Sequence, residues 1–238
     1  MANRVRVVVT GIGLVTPIGV GVEAYWKAAL AGTSGTQRIT HFDPAGLPSQ
    51  MAAVVRDGER MKALRSWLEV DVEESRVAVF ALAAARMASE ASGWHSCYRG
   101  DRLGVFIGTS GERPDLRMAG KIAYCSRTED GDIHPASFVE NFCKTFAGNS
   151  FAHLCPQYVT ALIARTYGIT GASCTIQTAC TSSAQAVGEA LRAIRRGTVD
   201  AAIAGGAECI VSPIEVQLFC LLGALSRRND EPERASRP

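Results

Sequence analysis

Strand-like apolar runs alternate with helix-like stretches along this chain, and that alternation restricts the fold more than any other feature of the sequence. The runs predicted to be strands are Val5–Thr10, Leu103–Ile107, Cys174–Thr178 and Ala201–Ala204. The stretches predicted to be helical are Val22–Ala31, Asp71 to about Ser92, Gln157–Tyr167 and Cys180–Arg196. Strands that are separated by helices favour a mostly parallel sheet with helices on both faces. The sequence therefore predicts an α/β fold.

One segment, from about residue 110 to residue 150, departs from this alternation. It carries glycine, proline, mixed charges and scattered aromatic residues instead of a regular apolar period. We interpret it as an irregular insertion over the surface of a single domain that spans 1–238.

The charge and hydropathy of the chain limit its classes of partner. Its 25 lysines and arginines and 23 aspartates and glutamates leave a formal net charge of +2, which is too small to attract nucleic acid or a membrane surface. The longest apolar run, Val77–Ala85, is too short to span a bilayer, and the amino-terminal residues lack a leader-peptide pattern. We therefore expect a cytoplasmic protein without nucleic-acid or membrane partners.

The eight cysteines are scattered, and no two of them form a Cys-x-x-Cys pair. A zinc ribbon or a redox motif would require that close spacing, so we expect no metal. A disulfide framework is not expected in a chain of this length without an export signal. Most of these cysteines are expected to be small, buried, hydrophobic side chains.

Cys180 differs from the other cysteines because it lies between a predicted strand and the start of a predicted helix, in the sequence TACTSS (178–183). A thiol at that junction meets the positive end of the helix dipole and free backbone N–H groups. Both favour the reactive thiolate form, and the same N–H groups can bind an oxyanion during acyl transfer. This position is typical of a nucleophile, and a buried structural cysteine is the alternative.

The glycines at positions 11 and 13 follow a predicted strand, as they would in a dinucleotide-binding turn. Thr16 occupies the place of the third glycine, and Pro17 prevents an immediate helix. We interpret the pair as a structural turn rather than a dinucleotide-binding site.

A cysteine hydrolase would need a histidine base beside its thiol. His134 and His153 precede Cys180 by chain distances that permit such a pairing. Both lie in or next to the predicted insertion, where a solvated loop histidine is the commoner case. A hydrolase is therefore the second hypothesis.

A basic cluster precedes the long apolar helix and consists of Arg60, Lys62 and Arg65, interleaved with Met61 and Leu64. The simpler interpretation is a solvated helix face. The functional alternative is a docking patch for an acidic carrier protein.

Four segments in register resemble the β-ketoacyl synthases of fatty-acid and polyketide assembly, especially the type II elongating enzymes. They are VVTGIGLVTPIG (8–19), TACTSS (178–183), AGGAE (204–208), and GALS (223–226) with Asn229 and ASRP (235–238). Their order and spacing match the amino-terminal half of that family along the whole chain, apart from the insertion.

The resemblance implies a thiolase-like fold, in which two related halves form an αβαβα layered sandwich, and assembly as a homodimer or heterodimer. It implies that Cys180 accepts an acyl group from acyl carrier protein. A malonyl unit on the carrier then loses CO2 and attacks the acyl thioester, without a metal or organic cofactor. The candidate substrate contacts are Gly111, Glu112 and Phe219.

The sequence also departs from the family pattern. Positions 110–112 read SGE where the family often has a bulky residue at the floor of its acyl pocket, so the sequence leaves the acyl-chain preference open. The docking residues of the family do not align with Arg60, Lys62 and Arg65. The related chain-length factor lacks the cysteine nucleophile, and Cys180 argues against that assignment.

The family's two histidines and lysine that assist decarboxylation belong to its second half, and none of the four histidines here lies in a matching motif. We therefore expect condensation to require that second half. A non-catalytic half that binds a partner chain or a carrier protein is the third hypothesis.

Overall fold

The computed structural model describes residues 5–56, 59–68, 75–94, 97–113, 116–147 and 149–236. The helices in these ranges are α1 (Val22–Leu30), α2 (Glu59–Leu68), α3 (Arg76–Ser92), α4 (Leu116–Cys125), α5 (Pro135–Thr145), α6 (Gln157–Thr166), α7 (Ser182–Arg195) and α8 (Pro213–Leu221). The strands are β1 (Val15–Thr16), β2 (Gly19–Val20), β3 (Thr36–Arg38), β4 (Met51–Ala53), β5 (Leu103–Gly108), β6 (Ser173–Ile176) and β7 (Ala201–Gly206).

The chain divides into two compact units. The first consists of Met1–Val72, Val79–Arg99 and Cys209–Pro238, and the second of Glu73–Ala78 and Gly100–Glu208.

The second unit is built on a parallel sheet with the strand order β6-β5-β7. All six residues of β5 are buried, as expected of the central strand of a sheet covered on both faces. Phe106 of β5 packs in one cluster with α7. On the opposite face, Thr160 of α6 lies 2.6 Å from Thr175 of β6, hydroxyl to hydroxyl. The predicted parallel sheet with helices on both faces is therefore confirmed for this unit.

Helix α7 lies against this sheet through a stripe of small side chains. Its buried residues are Ser182, Ala186, Ala190 and Ala193. Small side chains allow the helix backbone to approach the strands closely. Val187, on another face of the same helix, is 52% exposed.

The first unit contains two short antiparallel pairs, β1 with β2 and β3 with β4. Ile39 forms a buried cluster with Val216 and Cys220 of α8. The side chain of Asn229 connects two distant segments, since its Oδ1 accepts from the Gln50 N–H at 2.8 Å and its Nδ2 donates to the Pro48 carbonyl at 3.1 Å.

The prediction of a strand at Val5–Thr10 is wrong, because residues 5–14 belong to no sheet of the described structure. This segment lies instead against α3. A Cβ added at Gly11 or Gly13 would come within 2.0 Å of the carbonyl oxygens of Ala88 or Ala84, respectively. The two glycines thus permit a close backbone-to-helix contact, which agrees with their interpretation as structural residues.

Helix α3 begins at Arg76, and Ser75 caps it by accepting from the Ala78 N–H at 3.1 Å. The sequence predicted that this helix begins at Asp71, which lies outside the described residues. The predicted burial of the helix is confirmed by Val77, Val79 and other apolar side chains along it. No helix in the described part of the chain is long and apolar enough to cross a membrane.

The segment 110–150, predicted to be irregular, contains helices α4 and α5. His134 caps α5, and Pro135 follows it at the first helical position, where proline is well tolerated. The rings of Phe138, Phe142 and Phe146 contact one another along the helix. Both helices are short, and Gly120 inside α4, Gly131 between the helices and Pro135 at the start of α5 obscure their helical period in the sequence.

Candidate active site

A sharp strand-to-helix turn carries Cys180 at the carboxyl edge of the parallel sheet. Strand β6 ends at Ile176, a single turn of 3-10 helix spans Ala179–Thr181, and α7 follows directly. Ala179 has φ 52°, the only positive value at a non-glycine residue in the described ranges. A left-handed residue immediately before Cys180 makes the turn tight enough to place that residue at the start of the helix.

Side-chain hydroxyls hold this turn in place. The Ser182 Oγ accepts from the Thr178 N–H at 2.7 Å and donates to the Ala179 carbonyl at 2.8 Å. The Thr181 Oγ1 donates to the Thr178 carbonyl at 2.8 Å and accepts from the Gln185 side-chain amide at 3.0 Å. The turn thereby satisfies most of its own polar groups and has a defined geometry.

Two glycines that pair with each other at the ends of neighbouring strands lie directly against the turn. Gly108 of β5 pairs with Gly206 of β7. A Cβ on Gly108 would lie 2.4 Å from the carbonyl carbon of Ser182, and one on Gly206 would lie 2.6 Å from the Cβ of Ser183. No side chain fits at either position, so the first turn of α7 rests directly on backbone.

Cys180 is exposed, and its backbone N–H donates to no acceptor among the described residues. That N–H is therefore a free donor beside an accessible thiol. Exposure alone does not distinguish this cysteine. Six of the eight cysteines are exposed and Cys220 is buried, so the expectation that most would be buried is wrong.

The loops after β5 and β7 are joined beside the turn. The Glu208 carboxylate accepts from the Ser110 hydroxyl at 2.6 Å and from the Ser110 N–H at 3.2 Å. The pair spans 98 residues of sequence, and no local sequence pattern indicates it. The glycines at the ends of β5 and β7 could have indicated this contact, because the carboxyl ends of parallel strands lie at the same edge of a sheet.

The predicted substrate contacts fall in different places. Gly111 is buried in the second unit, and a Cβ there would lie 3.0 Å from Pro156. The carboxylate of Glu112 accepts from the Ser75 hydroxyl at 3.0 Å and the Val77 N–H at 3.2 Å, so this side chain caps the N-terminus of α3. Phe219 lies on α8 in the first unit and is half-buried.

The histidines of the hydrolase hypothesis have other surroundings. The His134 Nδ1 lies 3.0 Å from the Ser137 hydroxyl and accepts from the Ser137 N–H. His153 is half-buried in the 3-10 helix Asn149–Leu154. In the part of the chain that the structure describes, no hydrogen bond joins a histidine ring to Cys180.

The basic cluster lies on α2, whose apolar side chains Met61 and Leu64 are buried. Lys62 is exposed and Arg65 is half-buried. The side chain of Arg60 lies outside the described residues. The alternation of buried apolar and outward basic residues fits a solvated helix face, and carrier docking stays a prediction.

An ion pair joins two strands at the amino edge of the same sheet. The Arg102 guanidinium donates from Nη2 to Asp200 Oδ1 at 2.6 Å and from Nε to Oδ2 at 3.0 Å. It also donates to the carbonyls of Gly197 and Thr198, just beyond the end of α7. The hydrogen bond from Arg102 lowers the pKa of the Asp200 carboxyl, and the same bond raises the pKa of Arg102.

Comparisons with known proteins agree along the whole chain. The family model for the β-ketoacyl synthase N-terminal domain matches residues 4–238. A 3-oxoacyl-(acyl-carrier-protein) synthase 2 from Coxiella burnetii is 35% identical over 98% of this chain and 53% of its own length. A crystal structure of a β-ketoacyl synthase from Burkholderia phymatum STM815 matches with a TM-score of 0.75 at 25% identity, over 97% of this chain and 53% of that one.

A further solved structure contains a type II PKS acyl-carrier protein in complex with its ketosynthase, bound to the hexaketide. A chain in it matches with a TM-score of 0.67 and 29% identity, over 95% of this chain and 51% of that one. The chain thus spans about half the length of the curated relatives and solved structures that it matches.

Proposed function

The chain belongs to the β-ketoacyl synthase family, whose N-terminal domain it carries, and we propose on that premise that it contributes Cys180 as the nucleophile of an acyl-condensing reaction. The observation that carries the proposal is the turn at Ala179. It holds an exposed thiol at the start of α7 beside a free backbone N–H. Relatives named as 3-oxoacyl-acyl-carrier-protein synthases support the assignment of the reaction.

The first step is transfer of an acyl group. The Cys180 thiolate attacks the carbonyl carbon of an acyl thioester on the carrier protein, and a tetrahedral oxyanion forms. The bond from that carbon to the carrier sulfur then breaks. The carrier sulfur leaves as a thiolate, which takes up the proton that the Cys180 thiol lost on ionisation, and a new thioester remains on Cys180.

The turn supports this step in two ways. The N-terminus of α7 places the positive end of its dipole near the negative charge that the thiolate carries. The free N–H of Cys180 is available to donate to the oxyanion, and loss of one such donor typically costs on the order of 10²–10³ in rate.

The second step joins two acyl units. A malonyl unit on the carrier loses CO2, and the resulting enolate carbon attacks the Cys180 thioester. The thiolate of Cys180 is released, and the carrier keeps the β-ketoacyl product. In the family, two histidines and a lysine of the second half assist this step. This chain contributes the acyl group held as a thioester on Cys180 to this step.

We propose acyl carrier protein as the donor and acceptor of acyl groups, and no metal or organic cofactor takes part in either step. The solved complex of a ketosynthase relative with its acyl-carrier protein supports this partner. Gly111, in the loop that follows β5, is the proposed wall of the acyl site. Dimer formation and a cytoplasmic location stay predictions.

Acyl transfer from carrier protein to Cys180 tests the proposal directly. The full chain is mixed with octanoyl-carrier protein, and intact-mass spectrometry follows the acyl adduct. We expect one acyl group per chain in the wild type and in Cys174→Ser, and none in Cys180→Ser. An adduct that persists in Cys180→Ser, or release of free octanoate without an adduct, would contradict the proposal; the second result would favour the hydrolase.

A further inference from the structure

The carboxyl end of β5 is hydrogen-bonded to both neighbouring strands at the edge of the sheet that carries the proposed nucleophile. The Thr109 N–H donates to the carbonyl of Ile176, the last residue of β6, at 3.2 Å. The Ala207 N–H donates to the Gly108 carbonyl at 3.1 Å. This end of β5 is therefore fixed on one side by the strand that leads into the turn and on the other side by β7.

The Glu208 carboxylate adds a side-chain connection beyond these backbone hydrogen bonds. Its Oε1 accepts from the Ser110 hydroxyl at 2.6 Å, and its Oε2 accepts from the Ser110 N–H at 3.2 Å. Hydrogen bonds to an ionised acceptor are stronger than those between neutral groups. One exposed carboxylate thus holds both the backbone and the side chain of a half-buried serine in the loop after β5.

These two strand ends lie directly against the first turn of α7. A Cβ on Gly108 would lie 2.4 Å from the carbonyl carbon of Ser182, and one on Gly206 would lie 2.6 Å from the Cβ of Ser183. The contact leaves no room for even one methyl group, and packed backbone transmits a displacement rather than absorbing it. A change in the spacing of the strand ends would therefore displace the turn that carries Cys180.

We propose that Glu208 is a positioning residue for acyl transfer: through Ser110 it fixes the ends of β5 and β7, and these ends fix the turn at Cys180. The inference rests on the proposed function, because it takes Cys180 as the acyl acceptor. Acyl transfer requires the Cys180 sulfur and the Cys180 N–H to meet the same carbonyl group. A misplacement of about 1 Å can lower such a rate on the order of 100-fold.

Acyl transfer and simple alkylation of the same thiol separate positioning from a general change in reactivity. The full chain is mixed with octanoyl-carrier protein at several concentrations, and intact-mass spectrometry gives the maximal acylation rate and the half-saturating concentration. In a second experiment iodoacetamide alkylates the chain, and peptide mapping gives the rate at Cys180. In that reaction the thiolate attacks the methylene carbon and iodide leaves, so no oxyanion forms.

Glu208→Ala should lower the maximal acylation rate by about tenfold to 100-fold, because the thiol and its N–H lose their alignment. The half-saturating concentration of carrier protein and the rate of alkylation by iodoacetamide should stay close to those of the wild type. Circular dichroism confirms the fold of this variant and of each variant below.

Conservative and control variants connect the effect to the contact with Ser110. Glu208→Gln should keep nearly the full acylation rate, because an amide can accept from the Ser110 N–H and donate to its hydroxyl. Ser110→Ala combined with Glu208→Ala should be no slower than Glu208→Ala alone, since both changes remove the same interaction. Glu140→Ala, which removes an exposed carboxylate that pairs with Lys144 on α5 of the same unit, should acylate as the wild type does.

Three results would overturn the positioning role and leave Cys180 as the acyl acceptor. They are an unchanged acylation rate in Glu208→Ala, an equal loss in Glu208→Gln, and an equal loss of acylation and alkylation. A higher half-saturating concentration at an unchanged maximal rate would also overturn it and assign Glu208 to carrier binding. A wild type that takes up no octanoyl group at Cys180 would contradict the proposed function itself and, with it, this inference.

Discussion

Ala179 sets the geometry of the turn at Cys180, since it alone among the described non-glycine residues has a left-handed backbone. An alanine in that conformation costs about 1–2 kcal/mol relative to a right-handed one. The hydrogen bonds of Ser182 with Thr178 and Ala179 stabilise the turn and offset this cost. The strain lies immediately beside the proposed nucleophile, where precise placement of a side chain has a functional use.

The first prediction concerns replacement of that alanine. Ala179→Gly removes the left-handed penalty but adds about 0.5–1 kcal/mol of backbone entropy, so we expect a free energy of unfolding equal to the wild type or up to about 1 kcal/mol higher. Ala184→Gly, at a right-handed position of α7, should lose about 0.5–1 kcal/mol. Urea denaturation measures both. An Ala179→Gly variant that loses as much stability as Ala184→Gly would contradict the left-handed assignment.

The second prediction compares two neighbouring glycines. Gly206→Ala places a Cβ 2.6 Å from that of Ser183, whereas Gly205→Ala meets no atom within 4 Å. We expect Gly206→Ala to lose about 1–3 kcal/mol and to lower the rate of Cys180 acylation by up to about 100-fold, because the turn must move. Gly205→Ala should keep both the stability and the rate. Equal stability and equal acylation rates in the two variants would show that the close contact between Gly206 and the first turn of α7 does not position the thiol.

The sequence singled out Cys180 as the candidate nucleophile but did not indicate the contacts that hold its turn in place. A motif that is continuous along the chain, TACTSS (178–183), is visible without a fold. The contacts of Gly108 with Gly206 and of Ser110 with Glu208 depend on strand register, which joins residues about 98 positions apart. Local patterns carry no information on such pairings.

Glu112, which the sequence predicted to contact substrate, has a structural function at the start of helix α3. The Glu112 carboxylate receives hydrogen bonds from Ser75 and Val77 at the first turn of α3. A carboxylate at a helix N-terminus satisfies donors that the helix itself leaves open and complements the helix dipole.

The third prediction separates these two functions of Glu112. Glu112→Ala should lower the free energy of unfolding by about 0.5–2 kcal/mol, as loss of a helix cap does, and Glu112→Gln should lose less because one acceptor remains. Neither change should alter the rate of Cys180 acylation by a small thioester. A loss of acylation in Glu112→Gln without a loss of stability would restore the role in substrate binding.

The fourth prediction concerns the pH dependence of the pair that joins the starts of β5 and β7. Because Arg102 lowers the pKa of Asp200 in the folded state, the pair contributes stability above the ordinary aspartate pKa, near 3.9, and this stability is lost as the pH falls through the lowered value. Wild type should therefore be more stable than Asp200→Asn at pH 7, and the difference should shrink below about pH 4. Urea denaturation at several pH values measures this.

The control for that series is Asp130→Asn, since Asp130 is exposed and has no ion pair among the described residues. This variant should match the wild type at each pH. A difference between wild type and Asp200→Asn that does not change with pH would contradict the ion-pair explanation.

The elements were predicted well where a strand or helix has an unbroken apolar pattern, as the buried β5 and α3 and the half-buried β7 do. The valine run at 5–10 had the same pattern and forms no strand. Val8 and Val9 are 65% and 78% exposed, and a strand requires a partner that the pattern does not specify. Helices α4 and α5 were missed because they are short and, apart from the buried Ile122, their described apolar residues are half-buried or exposed, so neither helix shows an unbroken apolar pattern.

At the scale of the whole molecule, the predicted family and its α/β fold are confirmed by the match to residues 4–238 and by a TM-score of 0.75 to a solved β-ketoacyl synthase. The sequence could predict the family because four separated motifs keep their order and spacing. The chain corresponds to about half of each relative, so condensation by an assembly with a second half stays a prediction. For this chain itself we predict only that Cys180 is the thiol that accepts the acyl group.

Competition among the cysteines of the folded chain shows whether Cys180 is more reactive than the other thiols. The full chain is treated briefly with a substoichiometric cerulenin-type epoxide, and peptide mapping by mass spectrometry measures the rate at each cysteine. Cys174 is the matched comparison, because it is also exposed and lies on β6 in the same unit. We predict that Cys180 is modified at least tenfold faster than Cys174 in the folded chain and that the preference disappears in urea. Modification of Cys174 or another cysteine as fast as Cys180 in the folded chain would contradict this prediction.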